Sequence, residues 1–287
     1  PVVLPPIGSV QAFEAGGGIS VARAAKDFGI LQILSSSCSP DYEAVAQGVP
    51  GPRIYQLYLM GDRSWMDDHI GRALDAGYTG FCLTADTQVY SRRERDVMKG
   101  YVPMSGRSAS AANGDFSHQA SMTWDTIAHI KDTHDIPLIV KGVMHEDDAT
   151  RCVEAGVDVI YVSNHGGRQL GQAIPSLQIV AEAMPKLRAA GSKLDCAMDG
   201  GVRSGLDVLV GLSFGLKGVC LGSVVAGGVV DGCYMGTSRA FELVKEDLIR
   251  SMELLGVQNI SQIHNQGEKL RRESMVLGTA HLPEFYF

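Results

Sequence analysis

The chain has 287 residues, 45% of them apolar and 20% charged, and a formal net charge of −7. That composition suits a soluble globular protein with a sizeable core and excludes a disordered one. Basic residues are dispersed, and their densest run, SRRERD at 91–96, is interrupted by acids, which argues against nucleic acid or an anionic membrane and for a small substrate.

Eight short apolar runs follow one another: VVLPP (2–6), GILQIL (29–34), RIYQLY (53–58), GFCLTA (80–85), PLIVK (137–141), DVIYVS (158–163), LDCAMD (194–199) and GVCLG (218–222). Most are continuous rather than alternating, as parallel strands buried on both faces require. Between them stand amphipathic segments such as SWMDDHIGRALDAG and HEDDATRCVEAG, acidic near the start and closed by glycine, the pattern of capped helices. Gly29, Gly77, Gly156, Gly191 and Gly215 each mark a passage from helix into strand.

The spacing breaks once, between residues 85 and 137, where an inserted loop is expected. Its middle, SGRSASAANGDFSHQAS (105–121), reads as a lid over a site. A closing helix is predicted over FELVKEDLIRSMELLGV (241–257), and the final EFYF as a docked tail. The start, PVVLPPIG, lacks a methionine and reads as a trimmed or missing end. No run reaches the roughly 18 apolar residues of a membrane span, and no secretion signal is present. The six cysteines (38, 82, 152, 196, 220, 233) show no CxxC pair, which suggests reduced core thiols in a cytoplasmic protein that needs no metal.

Eight strand–helix units without a composition break predict an α/β architecture, a single (β/α)8 TIM barrel over residues 1–287, with an open doubly wound sheet as the alternative. Such a barrel carries its chemistry at the carboxyl ends of its strands. Those positions hold Gln56 and Tyr58 after the third run, Thr84 and Asp86 after the fourth, and Lys141 after the fifth. The sixth brings Ser163, His165 and Arg168, and the seventh Asp199, Gly200, Gly201 and Arg203.

Taken singly, His165 reads equally well as a structural histidine and Lys141 as a rim cation. Together they favour chemistry. A carboxylate such as Asp86 beside His165 would orient the ring and stabilise its protonated form, making a general base with an orienter. Arg168 offers a planar fork for a carboxylate, whereas Arg92 and Arg95 read as surface ion pairs. DGGVRSGLDV sets two glycines and an arginine before a helix start, an arrangement suited to a phosphate.

In chain order, PPIG, QLY, LTADT with SRRERD, VKGV, SNHGGRQL and DGGVRSGLDV resemble the FMN-dependent 2-hydroxy acid oxidase and dehydrogenase family, which includes glycolate oxidase, lactate oxidase and mandelate dehydrogenase. The likeness runs from residue 1 to the closing helix. It implies FMN as cofactor, a homotetramer, and oxidation of an (S)-2-hydroxy acid to a 2-oxo acid, with electrons passed to oxygen or another acceptor. His165 would take a proton from the substrate with Asp86 as partner, Arg168 and Arg93 would clamp the substrate carboxylate, and Tyr58 would hydrogen-bond the substrate. Lys141 would sit by the flavin N1 and C2 carbonyl, where positive charge stabilises the reduced ring. Pro6, Ile7 and Gly8 fall on the cofactor side; Ser35, Gln56, Thr84 and Ser163 match contacts to the isoalloxazine or ribityl chain. Asp199, Gly200, Gly201, Arg203, Gly222 and Ser223 match the ribityl-phosphate end.

Three departures from the family carry expectations. Its N-terminal extension, with a tyrosine for the substrate carboxylate, is absent before the first run, implying weaker substrate binding or an incomplete sequence. Ser223 stands where relatives carry a phosphate-binding arginine, implying FMN held roughly tenfold more weakly or worse. Ser37 replaces a bulky aromatic, implying an aliphatic or aryl substrate larger than glycolate, and Gly8, alanine in many oxidases, implies altered oxygen access. A flavin barrel isomerase or dehydrogenase for a phosphorylated substrate, and an impaired flavin-binding relic, are the alternatives.

Overall fold

The computed structural model describes residues 1–89, 91–100 and 117–275. The lid reading at 105–121 lies outside the described residues as far as residue 116, and the EFYF tail lies wholly outside them.

Eight parallel strands close into a barrel in sequence order. They are β1 (Val2–Leu4), β2 (Leu31–Ser35), β3 (Arg53–Leu57), β4 (Gly80–Thr84), β5 (Leu138–Val143), β6 (Val159–Val162), β7 (Asp195–Met198) and β8 (Gly218–Cys220). Each overlaps one of the eight apolar runs. Closure is made by β1 on β8, with Val2 opposite Val219 and Val3 opposite Cys220.

The runs are continuous because both strand faces are buried. Inside the cylinder, Ile33, Ile54, Cys82, Ile139, Tyr161 and Cys220 form one cluster, while outward residues such as Leu34, Leu83, Val140 and Ile160 pack into a larger core under the helices. Most apolar strand residues therefore have somewhere apolar to go.

Local chemistry fixes the helix ends. Asp62 accepts from the Trp65 amide at the start of the helix Arg63–Asp75, and Ser204 and Asp207 form a reciprocal capping box on the helix Gly205–Ser213. The five glycines expected between helix and strand all have positive φ.

Two segments differ from expectation. The gap between 85 and 137 contains an ordinary barrel helix, Trp124–Thr133, besides the short helices Glu94–Met98 and Ser117–Ala120, so the insertion is shorter than the spacing suggested. The closing helix begins at Gly222 and runs to Leu254, broken at Gly232 and Cys233, where φ/ψ leave the helical region. Gly228 and Gly236 meet across that break, and a Cβ on Gly228 would lie 2.6 Å from the Gly236 carbonyl oxygen. Glycines at 227, 228, 232 and 236 dilute the apolar period of the first half.

All six cysteines are free thiols. Among the described residues no helix is long and apolar enough to cross a membrane, and no group of His, Cys, Asp and Glu is arranged to hold a metal ion.

The helix Gly205–Ser213 crosses the closing helix at backbone contact: a Cβ on Gly205 would lie 2.0 Å from the Leu248 nitrogen. Gly205→Ala is expected to destabilise the fold by about 1–3 kcal/mol through overpacking, read as a lowered midpoint in urea.

Candidate active site

After β6 the chain coils through His165, Gly166 and Gly167, with φ of 56°, 68° and 70°. Two glycines adopt this left-handed path freely, whereas His165 does so at a cost of about 1 kcal/mol. The turn is fixed by its own hydrogen bonds. The His165 amide donates to Ser163 Oγ at 3.1 Å, the Gly167 amide to Asn164 Oδ1 at 3.1 Å, and Arg168 Nε to the His165 carbonyl at 3.1 Å. Glycine in SNHGGRQL thus lets a histidine and an arginine leave one strand end toward the same side.

His165 Nδ1 lies 3.0 and 3.1 Å from the two carboxylate oxygens of Asp86. Asp86 reaches it because β5 carries Gly142, with φ of 99°; a Cβ there would stand 2.6 Å from the Asp86 Cβ. The carboxylate holds the neutral ring with its proton on Nδ1 and its lone pair on Nε2.

Asp86 favours the protonated ring, as the sequence implies, but other contributions outweigh it. Burial, helped by the charges of Lys141 and Arg168, outweighs the Asp86 bond and lowers the His165 pKa below the ordinary histidine value. Asp86 therefore orients the ring without keeping it protonated. Its own pKa is raised by burial but lowered more by His165 and Lys141, so it stays ionised.

Lys141 is 4% exposed. Burial alone would lower its pKa, yet the Asp199 and Asp86 carboxylates more than offset this and the pKa rises. Its ammonium donates to Ser163 Oγ at 2.9 Å, and Ser163 donates to Asp199 Oδ1 at 2.6 Å. A buried cation is thus hydrogen-bonded to one hydroxyl and balanced by two nearby carboxylates.

Pro6, Ile7, Gly8, Tyr58, Arg93, Lys141, His165, Arg168, Asp199, Gly200, Gly201, Arg203, Gly222 and Ser223 all line one cavity of about 1060 Å³ at the carboxyl ends of the strands. Asp86 and Ser163 stand behind its wall, holding His165 and Lys141. Ser35, Gln56 and Thr84 are buried at the ends of β2, β3 and β4 and are not on the wall. Ser35 Oγ accepts from the Ser37 amide at 3.2 Å. Both amide atoms of Gln56 and the Thr84 hydroxyl have no hydrogen-bond partner among the described residues. Arg92 pairs with Glu94 at 3.3 Å on the exposed surface.

The phosphate reading of DGGVRSGLDV needs a correction. The amides of Arg203 and Ser204 donate to Asp207, that of Asp207 to Ser204 Oγ, and that of Leu206 to Asp247. This helix start is already capped by its own Asp207 and by Asp247 of the closing helix. Beside it, the helix opening at Gly222 has no side-chain cap, and its Gly222, Ser223 and Ala226 line the cavity with Arg203. An anion would therefore be met by the Gly222 helix end and the Arg203 side chain.

Two glutamines given no role by the sequence, Gln119 and Gln169 of SNHGGRQL, tie the strand ends together. Gln119 is 1% exposed; it accepts from the Leu59 amide at 2.6 Å and donates to the Thr84 carbonyl at 2.7 Å and Thr87 Oγ1 at 3.2 Å. Gln169 donates to the Asp86 carbonyl at 2.8 Å. Phe13, Met60, Thr87 and Lys99 also line the cavity; no local pattern marks them.

A histidine–carboxylate pair, a buried ammonium and an arginine converging on one large cavity make this the working mouth of a TIM-barrel enzyme. Among such enzymes, the chain belongs to the FMN-dependent dehydrogenase family, whose sequence profile matches residues 1–270. It is 33% identical to an L-lactate oxidase of Nostoc sp., over 92% of this chain and 79% of that protein. To a 4-hydroxymandelate oxidase of Amycolatopsis orientalis it is 30% identical, over 94% of this chain and 79% of that protein. A crystal structure of mandelate oxidase with benzoyl-formic acid superposes with a TM-score of 0.81 at 29% identity, covering 92% of this chain and 76% of that one.

The family is FMN-dependent, and the residues fit that cofactor. Orphaned polar atoms on Gln56 and Thr84 are what a polar heterocycle or ribityl chain would satisfy. Gly201, with φ of 85° and open space where a Cβ would stand, leaves the cavity wall bare of side chain beside Arg203.

A two-signed outcome tests the fit. Gln56→Leu removes an unsatisfied buried amide, so the apoprotein is expected to melt at the same or a higher temperature. FMN affinity should meanwhile fall about tenfold, measured by flavin fluorescence titration.

Proposed function

We propose that the FMN-loaded protein oxidises an (S)-2-hydroxy acid to the 2-oxo acid. The observation that carries this reading is His165, held against Asp86 at 3.0 Å, on the same cavity as Arg168 and Lys141. A 2-hydroxy acid presents three things to such a site: a carboxylate, a hydroxyl and an α-hydrogen.

Arg168 and Arg93 provide planar cations for the carboxylate. The His165 Nε2 lone pair accepts a proton, and the Asp86 carboxylate stabilises the imidazolium that results. Tyr58, whose phenol pKa is pushed up by burial, stays protonated and donates to a substrate oxygen. Its ring lies 6.5 Å from that of His165.

Lys141 would hold the FMN pyrimidine edge at N1 and the C2 carbonyl, and Gln56 and Thr84 its polar flank. Arg203, Gly201, Gly222 and Ser223 would take its phosphate. Bound FMN supplies the two-electron acceptor, regenerated by oxygen or another acceptor.

The substrate side chain is aliphatic or aryl and larger than a hydrogen. Gly8 and Ser37 keep one wall low, a Cβ on Gly8 lying 3.3 Å from the Ser37 Cβ, and Phe13 and Met60 add apolar surface. A homotetramer in the cytoplasm completes the proposal, in keeping with six free thiols and half-exposed apolar residues such as Leu206 and Leu243.

An anaerobic absorbance scan against a panel of 2-hydroxy acids is the direct test: lactate or mandelate should reduce the flavin faster than glycolate does. Failure of every acid to reduce it would refute the reading. Because a neutral base is needed and the His165 pKa is lowered, kcat/KM should stay level as pH falls through about 6.5 and decline only below that. Asp86→Asn removes the contribution that raises this pKa, so the acid limb should move lower still while kcat drops by roughly 10²-fold. Arg168→Lys loses the bidentate fork and is expected to raise KM about tenfold or more.

A further inference from the structure

Within the cylinder, five of the six side chains in the interior cluster are aliphatic residues or cysteines, and the sixth is a tyrosine. Tyr161 is fully buried. It pairs in register with Lys141 on one side and Ala197 on the other, which sets it in the same layer as the ammonium. Packing alone would be served by a phenylalanine. The hydroxyl instead donates to Asp199 Oδ2 at 2.9 Å, while Lys141 Nζ stands 5.4 Å from the ring centre.

Asp199 is thereby held from two sides. Ser163 donates to Oδ1 and Tyr161 to Oδ2, and the same Ser163 oxygen receives Lys141 Nζ and the His165 amide. A carboxylate with both oxygens anchored keeps one orientation. Without the phenol, Oδ2 would be free to swing toward the cavity that Asp199 lines, and Ser163 and Lys141 would follow it.

We propose that Tyr161 is a positioning residue whose hydroxyl fixes Asp199, and through Asp199 and Ser163 holds the Lys141 ammonium at the place where it meets FMN. It touches neither substrate nor cofactor. Burial, with Asp199 adding to it, pushes the phenol pKa well above its ordinary value, so the group remains a donor throughout the working pH range. This inference rests on the reading of Lys141 as the cation beside FMN.

The test is a double-mutant cycle on FMN affinity, with wild type, Tyr161→Phe, Asp199→Asn and the double variant titrated by flavin fluorescence. Tyr161→Phe should weaken FMN binding about tenfold in the wild-type background and by less than about twofold in the Asp199→Asn background. In turnover it should lower kcat while leaving KM within about twofold, as an effect on cofactor geometry rather than on substrate binding. Equal losses in both backgrounds, or no loss in the first, would overturn the proposal.

FMN affinity is read without any hydroxy acid, so a failed substrate panel leaves this result intact and separable. Should Tyr161→Phe not fold, 3-fluorotyrosine at position 161 preserves the shape and the donor. Its fluorine resonance should move when Asp199 becomes Asn, and a resonance that does not respond would count equally against the proposal.

Discussion

A cation taken out of water inside a barrel governs the whole mouth. An unpaired ammonium as deeply buried as Lys141 would cost several kcal/mol or lose its proton. The fold answers with Asp199 and Asp86, and those two carboxylates then dictate their own surroundings. Asp86 needs the space that Gly142 leaves and in turn aims His165; Asp199 needs hydroxyl donors and finds them in Ser163 and Tyr161. Burial, with the Lys141 charge adding to it, pushes the imidazole toward its neutral form against the pull of Asp86. One buried charge thus links Asp199 to His165 across the cavity.

The scaffold makes this affordable because the charges do not rest on mobile loops alone. Lys141 is on a strand, Asp199 and Asp86 leave within two residues of one, and the apolar plug of Ile33, Ile54, Cys82 and Ile139 below them keeps the strands at fixed spacing. Gln119 and Gln169 then lace the strand extensions to one another. Rigid elements carry the chemistry, and side chains from distant segments brace it.

Most of the fold could be read from the sequence because parallel strands buried on both faces leave continuous apolar runs, and glycine with positive φ marks five of the returns from helix to strand. What escaped had a local cause. The helix Trp124–Thr133 was hidden by the polar stretch before it, and the first half of the closing helix by its glycines. At the site, motif residues such as His165, Arg168 and Lys141 were legible, since a charged group at a strand end is conspicuous. Tyr161 and Gln119 were not, because a tyrosine in an apolar run looks like packing and a glutamine in a polar segment looks like solvent, and their partners lie 38 and 32 or more residues away in sequence. The helix-start error was avoidable: Ser204 followed three residues later by Asp207 spells a capping box. The net protonation of His165 is not legible in sequence, because it depends on how burial and two neighbouring cations compare with one carboxylate.

The seam between β1 and β8 also sets a condition on how the molecule is made. Its register partners, Val2 with Val219 and Val3 with Cys220, are separated by more than two hundred positions, among the most distant pairings a chain of this length can have. During synthesis β1 must therefore wait, with an open edge and an unfinished apolar lumen, until β8 has left the ribosome. An intermediate of that kind invites strand-to-strand association between nascent chains. Its yield in a cell would thus depend on chaperone capacity as much as on the stability of the finished cylinder.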